Sequence, residues 1–259
     1  MGELDGRVGC ITGGTRGIGR AIAEAFVREG ASVVITGRSA DKGQQALDEM
    51  AAGDAASFIQ GDVKDRSACE AAIDGTVERY GRIDILVPNA GGSADQAPVV
   101  DMTDEAMQDA LLWNFWHAFW TTRHALSFMI PQHFGRIMLM SSLEGKLGKP
   151  GIANYVVAKH AMNGLAKTVA KEVGPMGVTI NALCPGGIET DIMKEQGPVA
   201  AEAMGLSYQG LLDAFAQESA IKRLNAVEDV ALVAVLLASD AGAGITGSLI
   251  SIDGGTSPY

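Results

Sequence analysis

Cysteine is scarce in this chain, which holds three among 259 residues: Cys10, Cys69 and Cys184. So few cysteines, far apart in the sequence, do not suggest a disulfide framework. We interpret all three as small side chains in or near the core. Basic residues are also few, since 20 Lys and Arg stand against 31 Asp and Glu, giving a formal net charge of −11. A chain with this charge balance is not expected to bind nucleic acid.

Long apolar runs are absent as well. No stretch reaches the roughly 20 residues that a membrane-spanning helix needs, so no membrane partner is expected. The chain does not begin with a basic and then apolar signal segment, and we expect a cytoplasmic location. Internal repeats and low-complexity tracts are missing, and the 33 glycines follow no collagen-like period. These absences favour a single domain over residues 1–259, with no predicted metal site.

What the sequence does contain is a regular alternation of short apolar segments and amphipathic helical patterns. Hydrophobic residues make up 47% of the chain, enough for a large core. This alternation predicts an α/β fold, a single-domain Rossmann-type doubly wound parallel sheet with helices on both faces. The predicted strands are Val8–Thr12, Ser32–Thr36, Ala56–Gln60, Ile85–Pro88, Arg136–Met140, Val178–Leu183 and Leu249–Ile252, and the predicted helices include Ala40–Ala51 and Ser67–Tyr80.

A glycine-rich turn follows the first predicted strand. Gly13, Gly17 and Gly19 are spaced GxxxGxG, and a helical pattern begins at Ile18. Such a turn lets backbone approach a pyrophosphate, and the helix N-terminus offers free N–H groups and a positive dipole end. Glycines in a turn often serve backbone geometry alone. The strand-turn-helix order at the start of the chain favours the binding interpretation.

Tyr155 and Lys159 are four residues apart in a helical pattern, and Ser142 precedes them. Residues at i and i+4 share one face of a helix, so the Lys159 ammonium can lie beside the Tyr155 phenol. A free phenol has a pKa of about 10, and a nearby cation is expected to lower it. Ser142 offers a hydroxyl that can hold a reacting oxygen. Alone, this pattern also fits a half-buried Tyr beside a solvated Lys.

Together these features resemble the short-chain dehydrogenase/reductase family. The resemblance covers nearly the whole chain and is specific for the family, though not for a substrate. Five motifs carry it, in the family's order and at its usual distances: the cofactor loop TGGTRGIG at residues 12–19, the NAG element Asn89–Gly91, the tetrad Asn114, Ser142, Tyr155 and Lys159, the PG motif Pro185–Gly186 followed by Thr190, and the C-terminal element Asp253–Gly255.

The resemblance implies an NAD(P)-dependent alcohol dehydrogenase or carbonyl reductase that acts on a small-molecule ketone or alcohol. By the same resemblance, Tyr155 is expected to be the general acid or base, Lys159 to contact the nicotinamide ribose, and Asn114 to hold a water for proton relay to Lys159. The cofactor contacts expected from the resemblance and from the glycine turn are Gly13, Thr15, Arg16, Gly17, Ile18, Gly19, Asp62, Val63, Asn89, Ala90, Gly91, Tyr155, Lys159, Pro185, Gly186, Ile188 and Thr190.

Charge after the second predicted strand indicates which cofactor is preferred. An acidic residue at this place binds the ribose 2′-hydroxyl, whereas an Arg accommodates a 2′-phosphate. Gly37 stands where NAD-preferring relatives usually carry Asp, and Arg38 and Ser39 follow it. Arg16 and Arg38 can bind a phosphate together, with the Ser39 hydroxyl as a further donor. NADP(H) is therefore favoured over NAD(H), although two solvated arginines would give the same pattern.

Two long segments depart from simple alternation. Thr103–Ile130 is apolar and carries Trp113, Trp116 and Trp120, which fits either a central core helix or a subunit interface. The family resemblance implies dimers or tetramers built on this helix, so we expect a homotetramer or homodimer. The segment 189–221 separates two core elements and resembles the family's substrate lid, although an ordinary helical excursion would look the same.

Substrate identity is the least determined property. Ser142, Tyr155 and Glu144 are the predicted substrate contacts, and a carboxylate at Glu144 would disfavour an anionic substrate. An exposed loop Glu is an equally good interpretation. The chain resembles 3-oxoacyl-acyl-carrier-protein reductases and 3-hydroxybutyrate dehydrogenases, but Glu144 and Ile152 do not look like the polar clamp of the latter. An NAD-dependent dehydrogenase of a hydroxy acid, polyol or sterol and a non-catalytic dinucleotide-binding regulator remain alternatives.

Overall fold

The computed structural model describes residues 2–93 and 95–257, and within them the chain forms a seven-stranded parallel sheet. The strands are β1 (Val8–Ile11), β2 (Ser32–Gly37), β3 (Ala56–Gln60), β4 (Ile85–Val87), β5 (Gly135–Met140), β6 (Val178–Pro185) and β7 (Leu249–Ile252). Their order across the sheet is β3-β2-β1-β4-β5-β6-β7, and every neighbouring pair is parallel. The predicted α/β fold class is confirmed.

Helices connect the strands, as a parallel sheet requires. Polar side chains accept hydrogen bonds at several helix starts, for example Ser39 from Lys42 N–H and Thr103 from Ala106 N–H. Each such cap contributes about 1 kcal/mol. The helices are α1 (Gly17–Arg28), α2 (Ala40–Met50), α3 (Arg66–Tyr80), α4 (Asp104–Leu111), α5 (His117–Gln132), α6 (Ala153–Val173), α7 (Asp191–Ala203), α8 (Tyr208–Glu218) and α9 (Val227–Ala238).

The core has two layers, one on each face of the sheet. On one face α1, α2 and α9 pack on the strands, with Phe26 and Ile35 fully buried between them. On the other face α3, α5 and α6 cover the sheet, with Ile73 and Met129 fully buried. Burying one such side chain contributes roughly 1.5–3 kcal/mol. The sheet is therefore doubly wound.

One π-helical turn interrupts the long apolar segment that the sequence analysis singled out. Residues Leu112–Trp116 form this turn between α4 and α5, and Asn114 is the buried residue within it. A π turn inserts one residue into a helix and is frequent at functional sites. It gives Asn114 a position in the helix that the regular pattern of 103–130 would not provide.

The sheet changes direction of winding beside β1. The chain leaves β1 toward β2 and β3, and then returns to place β4 on the other side of β1. Connections diverge at such a reversal and leave a crevice beyond the carboxyl ends of the strands. The glycine turn follows β1 and Asn89 follows β4, so both border this crevice.

The three cysteines are buried free thiols, Cys10 in β1, Cys69 in α3 and Cys184 in β6. Burial raises the pKa of Cys10 to about 11 and that of Cys69 to about 12, and it is also the main cause that raises the pKa of Cys184. Their interpretation as small core residues agrees with these positions. In the described part of the chain, no helix is both long and apolar enough to cross a bilayer.

Candidate active site

Three of the predicted catalytic residues meet beyond the carboxyl end of β5. Ser142 begins a short turn directly after that strand, and Tyr155 and Lys159 lie one turn apart on α6. The Ser142 hydroxyl lies near enough to the Tyr155 phenol to act on its pKa. Lys159 Nζ lies 5.4 Å from the centre of the Tyr155 ring. The structure therefore brings together the side chains that the sequence spacing grouped.

Lys159 is held by the strand that precedes Ser142. Its side chain is buried, and Nζ donates a hydrogen bond of 2.7 Å to the Met140 carbonyl. Burial lowers the pKa of Lys159 to about 8, while Cys184 and Glu144 act in the opposite direction. The ammonium is therefore mostly charged at neutral pH.

The Tyr155 phenol has a pKa above its ordinary value in this structure. Burial is the largest cause, the negative charge of Glu144 adds to it, and the Ser142 hydroxyl acts in the opposite direction. From the sequence, Lys159 was expected to lower this pKa. That expectation is wrong for this structure, because the Lys159 ammonium donates to the Met140 carbonyl and burial dominates at the phenol. The phenol therefore keeps its proton.

Glu144 is a member of the same group. Ser142 Oγ donates a hydrogen bond of 2.5 Å to Glu144 Oε2, and Glu144 Oε1 lies 3.6 Å from Lys149 Nζ. The Glu144 side chain is 19% exposed. Of the two interpretations of Glu144, the structure supports a side chain that faces the site.

Asn114 is anchored by its position in the π turn. Its Oδ1 accepts from Gly92 N–H at 3.1 Å, and its Nδ2 donates to the carbonyls of Gly92 and Ala110 at 3.0 Å each. A Cβ at Gly91 would lie 2.5 Å from Asn114 Oδ1 and 3.4 Å from Lys159 Nζ. Glycine at 91 therefore lets the loop after β4 approach both side chains.

The glycine turn is tied to the loop after β4. Thr12 Oγ1 accepts from the N–H groups of Asn89 and Ala90, and Asn89 Nδ2 donates to Thr12 O at 2.9 Å. A Cβ at Gly19 would lie 2.4 Å from that Asn89 amide nitrogen. Gly19 therefore has no room for a side chain, and Asn89 fixes the crevice rather than standing free in it.

The N-terminus of α1 holds an anion in this structure. Arg16 precedes the helix and provides no side-chain cap, and Gly17 N–H donates instead to Asp191 Oδ2 at 3.1 Å. Arg16 also forms an ion pair of 2.5 Å with Glu195. Both carboxylates belong to α7, whose N-cap is Thr190. The first helix of the segment 189–221 thus lies against the glycine turn.

The end of β2 carries the residues predicted to select the cofactor. A Cβ at Gly37 would lie 2.9 Å from Thr15 Cγ2, which leaves little room for an acidic side chain. Arg38 is exposed beside it, and Ser39 caps α2. A depression lies at the ends of the first three strands, and its lining includes Thr12, Thr36, Gly61, Asp62 and Val63.

These loops fit a dinucleotide. The helix N-terminus accommodates the Asp191 carboxylate where a phosphate would be expected. The predicted cofactor contacts other than Tyr155 and Lys159 lie at or after the carboxyl ends of strands, in loops or in the first turn of α1: Gly13, Thr15, Arg16, Gly17, Ile18 and Gly19 after β1, Arg38 and Ser39 after β2, Asp62 and Val63 after β3, Asn89, Ala90 and Gly91 after β4, and Pro185, Gly186, Ile188 and Thr190 at or after the end of β6.

Some residues that contact the site could not be identified from the sequence. Asp191 and Glu195 lie in the segment considered as a lid, but nothing in their spacing marked them as partners of the glycine turn. Lys149 is a further neighbour of the site, since its ammonium lies 3.6 Å from Glu144 Oε1 and 4.6 Å from the centre of the Phe215 ring. His117 is fully buried, and burial and Lys159 lower its pKa to about 3, so it is neutral.

This fold and site define the class of dinucleotide-dependent oxidoreductases that carry a Ser-Tyr-Lys group beside a glycine turn. A family model described as Enoyl-(Acyl carrier protein) reductase matches residues 13–257. The chain belongs to the short-chain dehydrogenase/reductase family, as its motifs suggested.

Relatives from bacteria and one solved structure are similar over nearly the full length. A 3-oxoacyl-acyl-carrier-protein reductase of Escherichia coli is 33% identical over 98% of this chain and 98% of that protein. A 3beta-hydroxysteroid dehydrogenase of Mediterraneibacter gnavus is 33% identical over 100% of this chain and 98% of that protein. The crystal structure of a single-substitution variant of the actinorhodin polyketide ketoreductase with NADPH is 30% identical, covers 100% of both chains and has a TM-score of 0.94.

Proposed function

We propose that the protein is an NADP(H)-dependent oxidoreductase that interconverts a ketone and a secondary alcohol. The observation that carries this proposal is the meeting of Ser142, Tyr155 and Lys159 beyond β5, beside a glycine turn able to hold a dinucleotide. The bound cofactor supplies or accepts the hydride. The chain itself orients the substrate oxygen and moves the proton.

Tyr155 is the proposed general acid in ketone reduction. Its raised pKa keeps the phenol protonated at neutral pH, and the nearby Ser142 hydroxyl supports a shared role of both groups at the reacting oxygen. Ser142 orients that oxygen, and Lys159 supplies a positive charge behind the phenol. Alcohol oxidation would use the same Tyr155 as a base, which the raised pKa disfavours.

Asn114 is the proposed support for proton supply to this group. It is fixed in the π turn and contacts the loop at Gly92, next to the glycine that approaches Lys159 Nζ. A water held in this region would connect Lys159 with solvent. That role is carried from the family resemblance, and the anchored position of Asn114 supports it.

NADP(H) preference is supported by the charges at the end of β2. Arg38 is exposed and Gly37 has little space for the acidic residue that a 2′-hydroxyl would need. Arg16 lies on the neighbouring turn, although Glu195 pairs with it in this structure. The similar ketoreductase was solved with NADPH. These observations favour NADP(H) over NAD(H).

Cofactor oxidation by a panel of ketones tests the proposal. Purified protein is mixed with NADPH or NADH and each ketone, and the absorbance of the reduced nicotinamide is followed; alcohols are tested with the oxidised cofactors. We expect turnover of neutral ketones, faster with NADPH. Binding of a cofactor without turnover of any substrate would instead indicate the non-catalytic dinucleotide-binding regulator.

A hydroxysteroid or another sterol is the second candidate for the substrate. The 3beta-hydroxysteroid dehydrogenase of Mediterraneibacter gnavus covers the whole chain. Exposed apolar side chains in the middle of the segment 189–221, Met204 and Leu206 between α7 and α8, are compatible with an apolar substrate. Preferred turnover of a ketosteroid in the panel would establish this alternative.

We also propose that the protein works in the cytoplasm. Its three cysteines are free thiols, which a reducing compartment maintains. Fractionation of cells that express the tagged protein tests this location.

A further inference from the structure

Glu144 places a negative charge beside the oxygen-binding hydroxyl of the proposed site. Ser142 caps the short turn Leu143–Gly145, and this turn folds the Glu144 carboxylate back toward it. Ser142 Oγ then donates to Glu144 Oε2 at 2.5 Å. The carboxylate also influences the Tyr155 phenol and the Lys159 ammonium. Glu144 therefore borders the place where a substrate oxygen would bind.

The two carboxylate oxygens have different surroundings. Oε1 lies 3.6 Å from Lys149 Nζ, whose side chain is 42% exposed and lies over the Phe215 ring of α8. Oε2 faces Ser142. Because Lys149 partly compensates the charge, a second cation at Oε2 gains less than it would beside an isolated carboxylate. A neutral hydrogen-bond donor fits Oε2 better.

The Ser142 hydroxyl carries a single proton, and this creates a conflict. While Ser142 donates to Glu144, it does not donate that proton to a substrate carbonyl. A substrate that carries its own hydroxyl beside the carbonyl resolves the conflict, because this hydroxyl donates to Glu144 Oε2 and Ser142 becomes free to donate to the carbonyl. A substrate with a carboxylate there leaves the conflict in place and adds repulsion between like charges.

We propose, resting on the proposed function, that Glu144 is a specificity-determining residue that selects ketones with a hydroxyl on the neighbouring carbon. The corresponding alcohols are vicinal diols. Substrates with a carboxylate near the carbonyl are excluded. Specificity of this kind is a difference in transition-state binding, since a site built to pair with a hydroxyl discriminates against an analogue that lacks it.

Matched substrate pairs test this proposal with NADPH as cofactor. The first pair is 2-hydroxycyclohexanone and 2-methylcyclohexanone, which differ by a hydroxyl against a methyl group. The second pair is levulinate and its methyl ester, which differ mainly by one negative charge. We expect the wild-type protein to favour the hydroxy ketone and the ester, each by about tenfold or more in kcat/KM.

Three variants separate the contributions. In Glu144→Leu, both preferences should fall to within about twofold. Glu144→Gln keeps the shape and an acceptor oxygen, so it should retain part of the hydroxyl preference and lose the discrimination against levulinate. Lys149→Met should increase that discrimination, because it removes the compensating charge. Glu172→Gln, an exposed position at the end of α6, is the matched control and should change neither ratio.

The outcomes distinguish this proposal from the proposed function. Ratios that are the same in the wild type and in both Glu144 variants would overturn the role of Glu144 while the oxidoreductase activity stands. If circular dichroism shows that Glu144→Leu does not fold, the kcat/KM ratios of Glu144→Gln and Lys149→Met test the role of Glu144 instead. Failure of the wild type to reduce any ketone with either cofactor would overturn the proposed function itself.

Discussion

At the scale of single residues, the proton on Tyr155 determines the chemistry that we propose. Tyr155→Phe removes the hydroxyl and keeps the ring, so the fold and cofactor binding should be unchanged. General acid catalysis typically contributes about 10²–10⁴-fold to the rate, so we expect kcat to fall by about 100-fold or more. Steady-state kinetics and cofactor fluorescence titration measure the two properties. A Phe variant with near-normal turnover would refute the role of Tyr155.

Lys159 gives the site a predicted pH dependence. Burial lowers the pKa of Lys159 to about 8, so the ammonium is charged below that pH and neutral above it. If reduction needs this charge, kcat/KM should be constant below pH 8 and fall up to tenfold per pH unit above it. Lys159→Arg should move this decrease to higher pH in whatever activity it retains. A profile that stays flat well above pH 8 would contradict the prediction.

Arg38 is the residue for which the cofactor prediction is sharpest. Arg38→Asp removes a phosphate partner and adds repulsion, so the ratio of kcat/KM for NADPH to that for NADH should fall by about 100-fold, about tenfold from each effect. Arg28→Asp changes the net charge equally at the far end of α1 and serves as control. An unchanged ratio in Arg38→Asp would show that Arg38 does not read the phosphate.

The sequence predicted the Ser142, Tyr155 and Lys159 grouping because helical spacing and strand ends determine where those side chains lie. It did not predict the pKa of Tyr155, which depends on burial and on the direction of the Glu144 carboxylate. Nor did it predict that Asp84, fully buried, pairs with Arg82 and accepts from Val8 N–H. Contacts of this kind depend on tertiary distances that spacing does not encode.

At the scale of elements, we predict that α7 competes with the cofactor for the glycine turn, because Asp191 and Glu195 contact that turn. Glu195→Gln weakens the ion pair with Arg16, and an exposed pair of this kind contributes at most about 1 kcal/mol. We therefore expect KM for NADPH to fall by up to about fivefold, with a smaller change for NADH. Glu202→Gln, exposed on the same helix, should have no effect. A raised KM in Glu195→Gln would mean that Glu195 supports the site instead.

Strand positions could be predicted closely, whereas one helix irregularity could not. The prediction for β3 matches the structure, and Ser32–Thr36 differs from β2 by one residue. Buried strands show up as short apolar runs, which explains this agreement. The π turn at Leu112–Trp116 depends on how Asn114 meets Gly92 and Ala110, and an apolar pattern carries no signal of it.

At the scale of the whole molecule, we predict a homodimer or homotetramer. The rings of Phe115, Trp116, Phe119 and Trp120 form a cluster through stacked and edge-to-face contacts, and Trp116 is 40% exposed. Trp113 is separate from this cluster, since its ring lies against Gly92 and Lys64 within the chain. All three tryptophans were grouped from the sequence, whereas only Trp116 and Trp120 belong to the cluster that we predict to form an interface. Aromatic residues are enriched at such surfaces.

Light scattering coupled to size-exclusion chromatography tests this prediction. We expect two or four times the chain mass of 26.9 kDa at micromolar concentration, and a smaller mass for Trp116→Glu. Exposed Leu232 on α9 lies on another part of the surface, so Leu232→Glu shows whether a second interface exists. An active wild-type monomer would refute the prediction.

The buried thiols give the whole molecule its own reporters of local opening. A thiolate, not a thiol, reacts with alkylating reagents, and burial keeps Cys10 and Cys69 protonated at neutral pH. Modification therefore has to wait until the covering elements separate, and its rate measures the free energy of that separation. Cys10 reports on the contact of β1 with α3, where its Sγ meets the Ala72 carbonyl. Cys184 in β6 lies near enough to Lys159 to act on its pKa, so it reports on the sheet beside the proposed active site. We therefore expect a bound cofactor to slow the modification of Cys184 and not that of Cys10 or Cys69.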